Sequence, residues 1–290
     1  MPYYVILNIM TRREWKIRAT ARLAGTEAPA AVAALLLCHV LGIDKVALVA
    51  HSEEQVPSRA EEKLETLLRR RLSGEPVAYI LGRREFYGRD FLVNVHTLIP
   101  RPETEHLVET ALDFFQGREE IRFLDLGTGS GCIAVTLAAE RPQWKGVAVD
   151  ISEGALHMAR LNAGRCGTVS SVEFLQADFT QPLPFSPRSF DLVISNPPYI
   201  SEEEYAGLDP GVRNFEPRSA LVPGPEGLEH PRAVEAAARA LLKKGGLLLM
   251  EHGYLQGEAC RALCPDAYWM DMRTGRDLAG KDRFLFAVRR

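Results

Sequence analysis

Asn196-Pro197-Pro198-Tyr199 closes a short apolar run of Phe190, Leu192, Val193 and Ile194, and joins one amide side chain and one aromatic ring to two consecutive prolines. Proline has no backbone N–H to donate and restricts the residue before it, so neither a ladder nor a helix continues through the pair. The apolar run reads as a buried parallel strand. The tetrapeptide then forms a rigid shelf at the strand's carboxyl end, the edge at which open α/β sheets hold ligands. A second constellation lies upstream, where Arg122–Ile133 (R-F-L-D-L-G-T-G-S-G-C-I) runs an apolar strand into a turn with glycines at 127, 129 and 131. Such glycines accept positive φ and let the backbone approach a ligand closely. Asp150 ends the next apolar run, about twenty residues on, where a carboxylate can accept both hydroxyls of a ribose. Taken alone, N-P-P is more often a strand that ends in a proline turn, and G-x-G also opens dinucleotide-binding folds. The surrounding elements must decide.

Strands are predicted over Gly146–Val149, Val172–Gln176, Phe190–Ser195, Leu247–Met250 and Phe284–Val288. Helices are predicted over Cys132–Glu140, Glu153–Arg165 (capped by Ser152), Pro231–Lys243 and Leu255–Leu263, with Gly245-Gly246 as a turn. Alternation at these lengths predicts an α/β fold with a doubly wound, mostly parallel sheet. From Arg12 to Leu81 the pattern is helical instead. Trp15, Ile17, Ala21 and Leu23 precede Gly25, Ala30–Leu41 stops at Gly42, and Ser58 is placed to cap a helix with Glu61 and Glu62 in its first turn. Leu64, Leu67, Leu68 and Leu72 would be that helix's apolar face, and Arg69, Arg70 and Arg71 a solvated last turn suited to the helix dipole. Between the two regions, Phe86, Phe91, Val93 and Val95 alternate with polar residues about Gly88-Arg89-Asp90, a hairpin signal. Next comes Ile99-Pro100-Arg101-Pro102-Glu103-Thr104-Glu105, with Thr104 a candidate N-cap for a helix over Glu105–Phe115. Its charges either tie an ion-pair knot or contact a ligand. The expected domains are therefore 1–83, a small helical domain; 84–99, a linking β-hairpin; and 100–290, the ligand-binding catalytic domain.

The glycine spacing admits a nicotinamide dinucleotide or a nucleoside such as S-adenosylmethionine. A dehydrogenase fingerprint places its third glycine three residues after the second, to set a helix N-terminus on the pyrophosphate. Here the glycines alternate, position 132 is Cys, and no His–Asp or Tyr–Lys pair suited to hydride transfer stands out. D-L-G-T-G-S-G with Asp150 and N-P-P-Y resembles the class I, Rossmann-like methyltransferases. N-P-P-Y itself resembles the motif of enzymes that methylate a planar amino group, either an exocyclic base nitrogen or a side-chain amide. An amide nitrogen is a poor nucleophile because its lone pair is delocalised. Acceptors aimed at its two N–H bonds can hold it beside a sulfonium methyl and favour the pyramidal geometry of attack. Asn196 Oδ1 and the Pro197 carbonyl, stiffened by Pro198, would be those acceptors, with the Tyr199 ring packed on the planar group. Orientation and electrostatics would then carry catalysis, on the order of 7–11 kcal/mol in well-oriented systems. No metal and no nucleophilic side chain is required.

Joined to further segments, the resemblance narrows. Glu75–Gly82 (E-P-V-A-Y-I-L-G), Glu85–Gly88, Leu98–Glu109 (L-I-P-R-P-E-T-E-H-L-V-E), Asp125–Ala134, Ser195–Ile200, Phe215–Leu221 (F-E-P-R-S-A-L) and Lys281–Phe284 together resemble the N5-glutamine methyltransferases of peptide chain release factors, the HemK-like family. The likeness spans roughly residues 30–290, and I-P-R-P-E-T-E is its most specific part. It implies that Gly127, Thr128, Gly129, Ser130 and Gly131 wrap the methionine part of S-adenosylmethionine, that Asp150 holds the ribose, and that Phe179 lies against the adenine. It implies that Asn196 touches both methyl donor and substrate amide, while Pro197, Pro198 and Tyr199 complete a slot for the glutamine of the G-G-Q loop in class-1 release factors. S-adenosylhomocysteine would be the product, and the helical domain would help dock the partner. Three features depart from the family pattern: Ala177 stands where Asn often precedes Asp178, His252 follows Glu251 where relatives carry an apolar residue, and Met1–Met10 matches nothing in it. His252 is read as a supporting or surface residue and not as a base, since the reaction needs none.

The bulk properties fit that reading. With 46% apolar and 25% charged residues the composition is that of an ordinary globular protein. A net charge of −3 and a pI near 6.2 weigh against nucleic acid as the main partner. Cys38, Cys132, Cys166, Cys260 and Cys264 are scattered, as in a cytoplasmic protein with reduced thiols and no metal site. Tyr3–Met10 is too short to span a bilayer and lacks a cleavage site. Nothing in the sequence demands more than a monomer. Two other functions remain open from the residues alone: an RNA or DNA base amino methyltransferase, which shares N-P-P-Y, and a cofactor-binding docking module without turnover.

Overall fold

The computed structural model describes residues 10–290; apart from Met10, the segment Met1–Met10, which matches nothing in the family pattern, lies outside them. The described chain forms two compact units that divide after Leu81.

The first unit is helical. Helix α1 (Arg12–Arg22) opens on a capping box, in which Thr11 Oγ1 accepts from the Glu14 N–H and the Glu14 carboxylate accepts from the Thr11 N–H. Trp15, Ala19 and Leu23 form its buried face, and Ile17 is 62% exposed. A four-residue spacing returns to one side of a helix, whereas Ile17 lies two positions from Trp15. Helix α2 (Pro29–Leu41) stops at Gly42 as expected, and α3 (Lys45–Ala50) is capped by Asp44. Helix α4 (Ser58–Leu72) starts differently from the sequence expectation. Pro57 is its N-cap, Ser58 is already helical and makes no cap, and Glu61 alone is acidic in the first turn. Ala60, Leu64 and Leu68 face the core, while Leu72 in the last turn is exposed. The three arginines are tied down within the unit: Arg69 to Glu65, Arg70 to Glu75, and Arg71 to the Gly74 and Glu75 carbonyls. Helix α5 (Val77–Leu81) ends the unit.

The second unit begins with strands β1 (Arg83–Phe86) and β2 (Arg89–Leu92), paired antiparallel. Its turn is Tyr87-Gly88, at φ +51° and +70°. Two consecutive positive φ values make the primed turn whose twist suits a hairpin. Arg89 and Asp90, expected in the turn, are therefore the first residues of β2. Phe86 and Phe91 meet edge to face and are buried in this unit's core.

Helix α6 (Glu105–Phe114) leads to the main sheet. In chain order follow β3 (Arg122–Leu126), α7 (Cys132–Glu140), β4 (Lys145–Asp150), α8 (Glu153–Cys166), β5 (Val172–Gln176) and β6 (Phe190–Ser195). Then come short helices α9 (Glu202–Ala206) and α10 (Pro210–Phe215), α11 (Glu229–Leu241), β7 (Leu242–Glu251), α12 (Gly257–Ala262), β8 (Trp269–Arg276) and β9 (Asp282–Arg289). The seven strands lie in the order β5-β4-β3-β6-β7-β9-β8, with β3 to β7 mutually parallel and β9 antiparallel to both β7 and β8. Helix α11 ends two residues before the predicted limit, and Gly245-Gly246 lies inside β7 instead of in a turn before it. Strand β8 was not expected at all.

Side chains alternate across the sheet, as the two-residue period of a strand requires. Phe123, Leu192, Ile194, Leu247 and Leu249 pack with α6 and α7 on one face. Leu124, Leu126, Val193, Leu248 and Met250 pack with α11 on the other. Phe190 shares the second face with Val193 because a bulge between Phe190 and Leu192 shifts the register. The chain runs outward from β3 through β4 to β5, then returns to β6 on β3's other side. A crevice opens at the carboxyl ends of two strands where the order reverses. The glycine turn follows β3 and Asn196 follows β6, so both sequence motifs arrive at that crevice.

Candidate active site

Between β3 and α7 the chain turns through Gly127, Gly129 and Gly131 at φ +74°, +56° and +80°. Gly131 is the N-cap of α7, and a Cβ there would lie 3.0 Å from Ala159 Cβ. It packs the helix against α8 and does not line the cavity beside the turn. Gly127, Thr128, Gly129 and Ser130 do line it, together with Asp150, Phe179, Asn196 and Pro198. Asp150 holds the turn in place, its Oδ2 accepting from the Gly129 N–H at 2.8 Å and its Oδ1 from the Ser152 N–H at 2.9 Å. Burial raises its pKa above the ordinary aspartate value, and those N–H donors act against the rise. Phe179 meets His230 edge to face at 5.2 Å.

A second, smaller cavity adjoins the first. Pro197, Tyr199, Ile200, Leu208, Val212 and Leu221 give it a largely apolar wall. Leu98, Arg101, Asn196 and Ala220 border both cavities. Asn196 thus stands at the seam. Its Nδ2 donates to Thr104 Oγ1 at 3.0 Å, and Thr104 Oγ1 donates to Glu251 Oε2 at 2.6 Å. Tyr199 donates its hydroxyl proton to Glu251 Oε1 at 3.1 Å. Burial pushes the Tyr199 phenol far above its usual range, and the Glu251 charge beside it adds to the effect. The shelf is braced from behind, because Gln256 Nε2 donates to the Tyr199 carbonyl at 2.8 Å and the Ile200 N–H to the Leu221 carbonyl at 3.0 Å.

The I-P-R-P-E-T-E segment ties the ion-pair knot, and part of it also lines the cavity. Arg101 pairs with Glu216 at 2.6 Å, and that carboxylate also accepts from the Ile99 N–H. Glu105 accepts from the Tyr87 N–H at 3.0 Å. Pro100, Arg101 and Thr104 nevertheless line the larger cavity. Thr104 is the N-cap of α6 by position only, with αR backbone and no cap hydrogen bond, since its hydroxyl is engaged by Glu251 and Asn196.

The larger cavity has the chemistry of a nucleoside site. Asp150 has lone pairs left for vicinal hydroxyls, Ile151 and Phe179 offer apolar faces to a base, and Asp178 offers a carboxylate to an exocyclic amino group. These residues fit S-adenosylmethionine. No group of three or more His, Cys, Asp or Glu side chains able to hold a metal ion occurs among the described residues, and no helix among them is long and apolar enough to cross a membrane.

Comparison with known proteins identifies the chain. Residues 14–82 match the PrmC N-terminal domain family and residues 118–275 the Methyltransferase domain family. The release factor glutamine methyltransferase of Nitratidesulfovibrio vulgaris is 49% identical over 92% of this chain and 90% of its own length. Those of Bordetella pertussis and Cereibacter sphaeroides are 45% and 43% identical, over 90% and 91% of this chain and 95% and 92% of their own. The chain belongs to the release factor glutamine methyltransferase family.

Three parts of this glutamine methyltransferase's site lie outside the residues expected from the sequence. Glu251 carried no signal beyond its place before His252. His230 lies in the cavity against Phe179, and burial lowers its pKa although Asp178 and Glu229 act the other way. His96 also lines the cavity, its ring so close to Gly154 that a Cβ there would come within 2.7 Å. The bare glycine at 154 was the available clue. His252, read as a supporting or surface residue, is fully buried. Its Nδ1 donates to the Gly253 carbonyl at 2.8 Å, and burial keeps its pKa low.

Proposed function

We propose that this enzyme transfers the methyl group of S-adenosylmethionine to the side-chain amide nitrogen (N5) of the glutamine in the G-G-Q loop of class-1 peptide chain release factors. The observation that carries the reading is the position of Asn196, which borders the nucleoside cavity on one side and the apolar slot on the other. The substrate class follows from membership of the family.

S-adenosylmethionine would supply an electrophilic methyl on a sulfonium, leaving S-adenosylhomocysteine. The protein's part is to present the acceptor. Asp150 would take the ribose hydroxyls, Phe179 would lie against the adenine, and the turn Gly127-Thr128-Gly129-Ser130-Gly131 would wrap the methionine end. Asn196 Oδ1 and the Pro197 carbonyl would accept the two N–H bonds of the glutamine amide, turning its nitrogen lone pair toward the methyl. Pro198 fixes that carbonyl in space, and the Tyr199 ring would cover the amide plane. In taking the methyl group from the sulfonium, the nitrogen would lose one proton to solvent, which carries away the sulfonium's positive charge. Preorganised acceptors lower the barrier because they need no reorientation at the moment of transfer. The helical unit would help to dock the release factor, and the enzyme would act as a cytoplasmic monomer.

The test is methyl transfer from labelled S-adenosylmethionine to a purified class-1 release factor, with the modified residue located by peptide mass spectrometry. Label on the G-G-Q glutamine is expected. A release factor left unlabelled, or label moving to RNA or DNA in its place, overturns the proposal.

A further inference from the structure

Glu251 ends β7 with 1% of its surface exposed. Two of the side chains lining the slot reach it: Tyr199 directly, and Asn196 through Thr104. The direction of each hydrogen bond can be worked out from proton counts. A threonine hydroxyl has one proton, and an ionised carboxylate has none to offer. The Thr104 proton therefore goes to Glu251 across 2.6 Å, and the oxygen meets Asn196 with lone pairs only. Of the two ends of the Asn196 amide, only the NH2 can answer a lone pair, so Nδ2 lies toward Thr104 at 3.0 Å. Oδ1 is left to face the cavities. A neutral Glu251 would allow the reverse, because its own proton could go to Thr104 and free the threonine proton for Asn196 Oδ1. The amide would then present its NH2 to a substrate NH2, donor against donor.

We infer that Thr104 and Glu251 are positioning residues that fix which end of the Asn196 amide faces the substrate, with the Glu251 negative charge setting the direction of the chain. This rests on the function proposed above. The groups that face Glu251 come from several elements: Arg283 of β9, itself paired with Asp277, Glu103 in the turn before α6, Cys132 at the start of α7, and Tyr199 after β6. Burial raises the Glu251 pKa above the ordinary glutamate value and Glu103 adds to this, while Thr104, Tyr199 and Arg283 oppose it.

The experiment measures kcat, KM and cofactor Kd for release-factor methylation across pH. Thr104→Val removes the hydroxyl and keeps the shape; kcat should fall about 30-fold or more while the S-adenosylmethionine Kd stays within about threefold, since a misaligned reacting group alone can cost about 100-fold. Thr104→Ser keeps the hydroxyl and should restore kcat to within about fivefold of wild type. Wild-type kcat should fall on the acid side as Glu251 takes up a proton. Glu251→Gln, which carries no charge and can turn either its oxygen or its NH2 toward Thr104, should lower kcat and lose that limb because it cannot titrate. Should Thr104→Val not fold, the wild-type and Glu251→Gln pH profiles decide by themselves. Equal kcat in the valine and serine variants, or an acid limb that survives Glu251→Gln, overturns the inference while wild-type glutamine labelling leaves the proposed function standing. A wild type that labels no glutamine overturns the function, and this inference with it.

Discussion

Asn196 and Asp150 line the same cavity but ask different things of a ligand. Asn196 has its NH2 committed to Thr104 and its oxygen free at the seam, so what it offers is an acceptor for the group being methylated. Asp150 is partly spent on the turn, through Gly129 and Ser152, and offers its remaining lone pairs to the donor. Asn196→Ala should therefore cut kcat by about 100-fold or more with the cofactor Kd nearly unchanged, as expected when an interaction made at the reacting centre is lost. Asp150→Ala should do the opposite, raising the Kd first, because it also frees the Gly129 N–H. Calorimetric titration beside steady-state kinetics separates the two, and a common response would contradict the division of roles. Asn196, the glycine turn and Asp150 are legible in the sequence because each is a strand end or turn whose geometry its neighbours make. Thr104 and Glu251 are not. Thr104 reaches Asn196 across 92 positions and Glu251 across 147, and no local pattern reports such meetings.

Elements are legible in the sequence where one face of a strand or helix is buried, and poorly so where that constraint lapses. The parallel strands β3 to β6 form where their apolar runs lie. Strand β8 escaped because it is an edge strand with alternating exposure, interrupted by bulges and by Asp271 at φ +51°. A strand with one neighbour and a broken period gives little signal. The hairpin turn lies one to two residues before its expected place because Tyr87, an unusual residue for positive φ, occupies its first position. What fastens that hairpin to the site was also hidden. Asn162 of α8, fully buried, accepts from the Leu92 N–H at 2.7 Å and donates to the Leu92 carbonyl at 3.0 Å and the Ser130 carbonyl at 2.8 Å. One amide thus ties the end of β2 to the glycine turn. Asn162→Leu keeps the volume but strands those backbone groups, each unsatisfied group costing about 1–3 kcal/mol. The expected result is a loss of about 2 kcal/mol or more in urea unfolding, together with weaker cofactor binding. Unchanged stability and affinity would show that the backbone finds other partners.

Asp125 carries a question of charge into the core of the sheet. It lies in β3 beneath the glycine turn, fully buried, with Oδ2 accepting from Thr128 Oγ1 at 2.6 Å. Burial pushes its pKa up to about 7; Thr128 acts against this and the nearby Asp150 charge adds to it. The sign of the stability effect follows from proton counting. In the unfolded chain the group titrates near an ordinary aspartate value, so between that value and about 7 the native state holds the proton and the unfolded state does not. The stability this contributes is complete below the unfolded pKa and is lost as the pH rises through the native one. His230 and His252, with lowered pKa values, act in the opposite sense, and Asp150 and Glu251 in the same sense. The wild-type curve alone is therefore a sum of several groups. Comparison with Asp125→Asn isolates one of them, because asparagine keeps an acceptor for Thr128 and carries no proton to lose. Trp144 and Trp269, both fully buried in the second unit, supply the fluorescence signal once Trp15 of the first unit is replaced by Phe. In that background, the Tm of Asp125→Asn minus that of its parent should rise by about 5 °C or more between pH 5 and pH 8, since a pKa unit is worth about 1.4 kcal/mol. A difference that stays flat across the range would mean that Asp125 remains ionised in the folded protein, the Thr128 hydroxyl and the Ala134 N–H outweighing its burial.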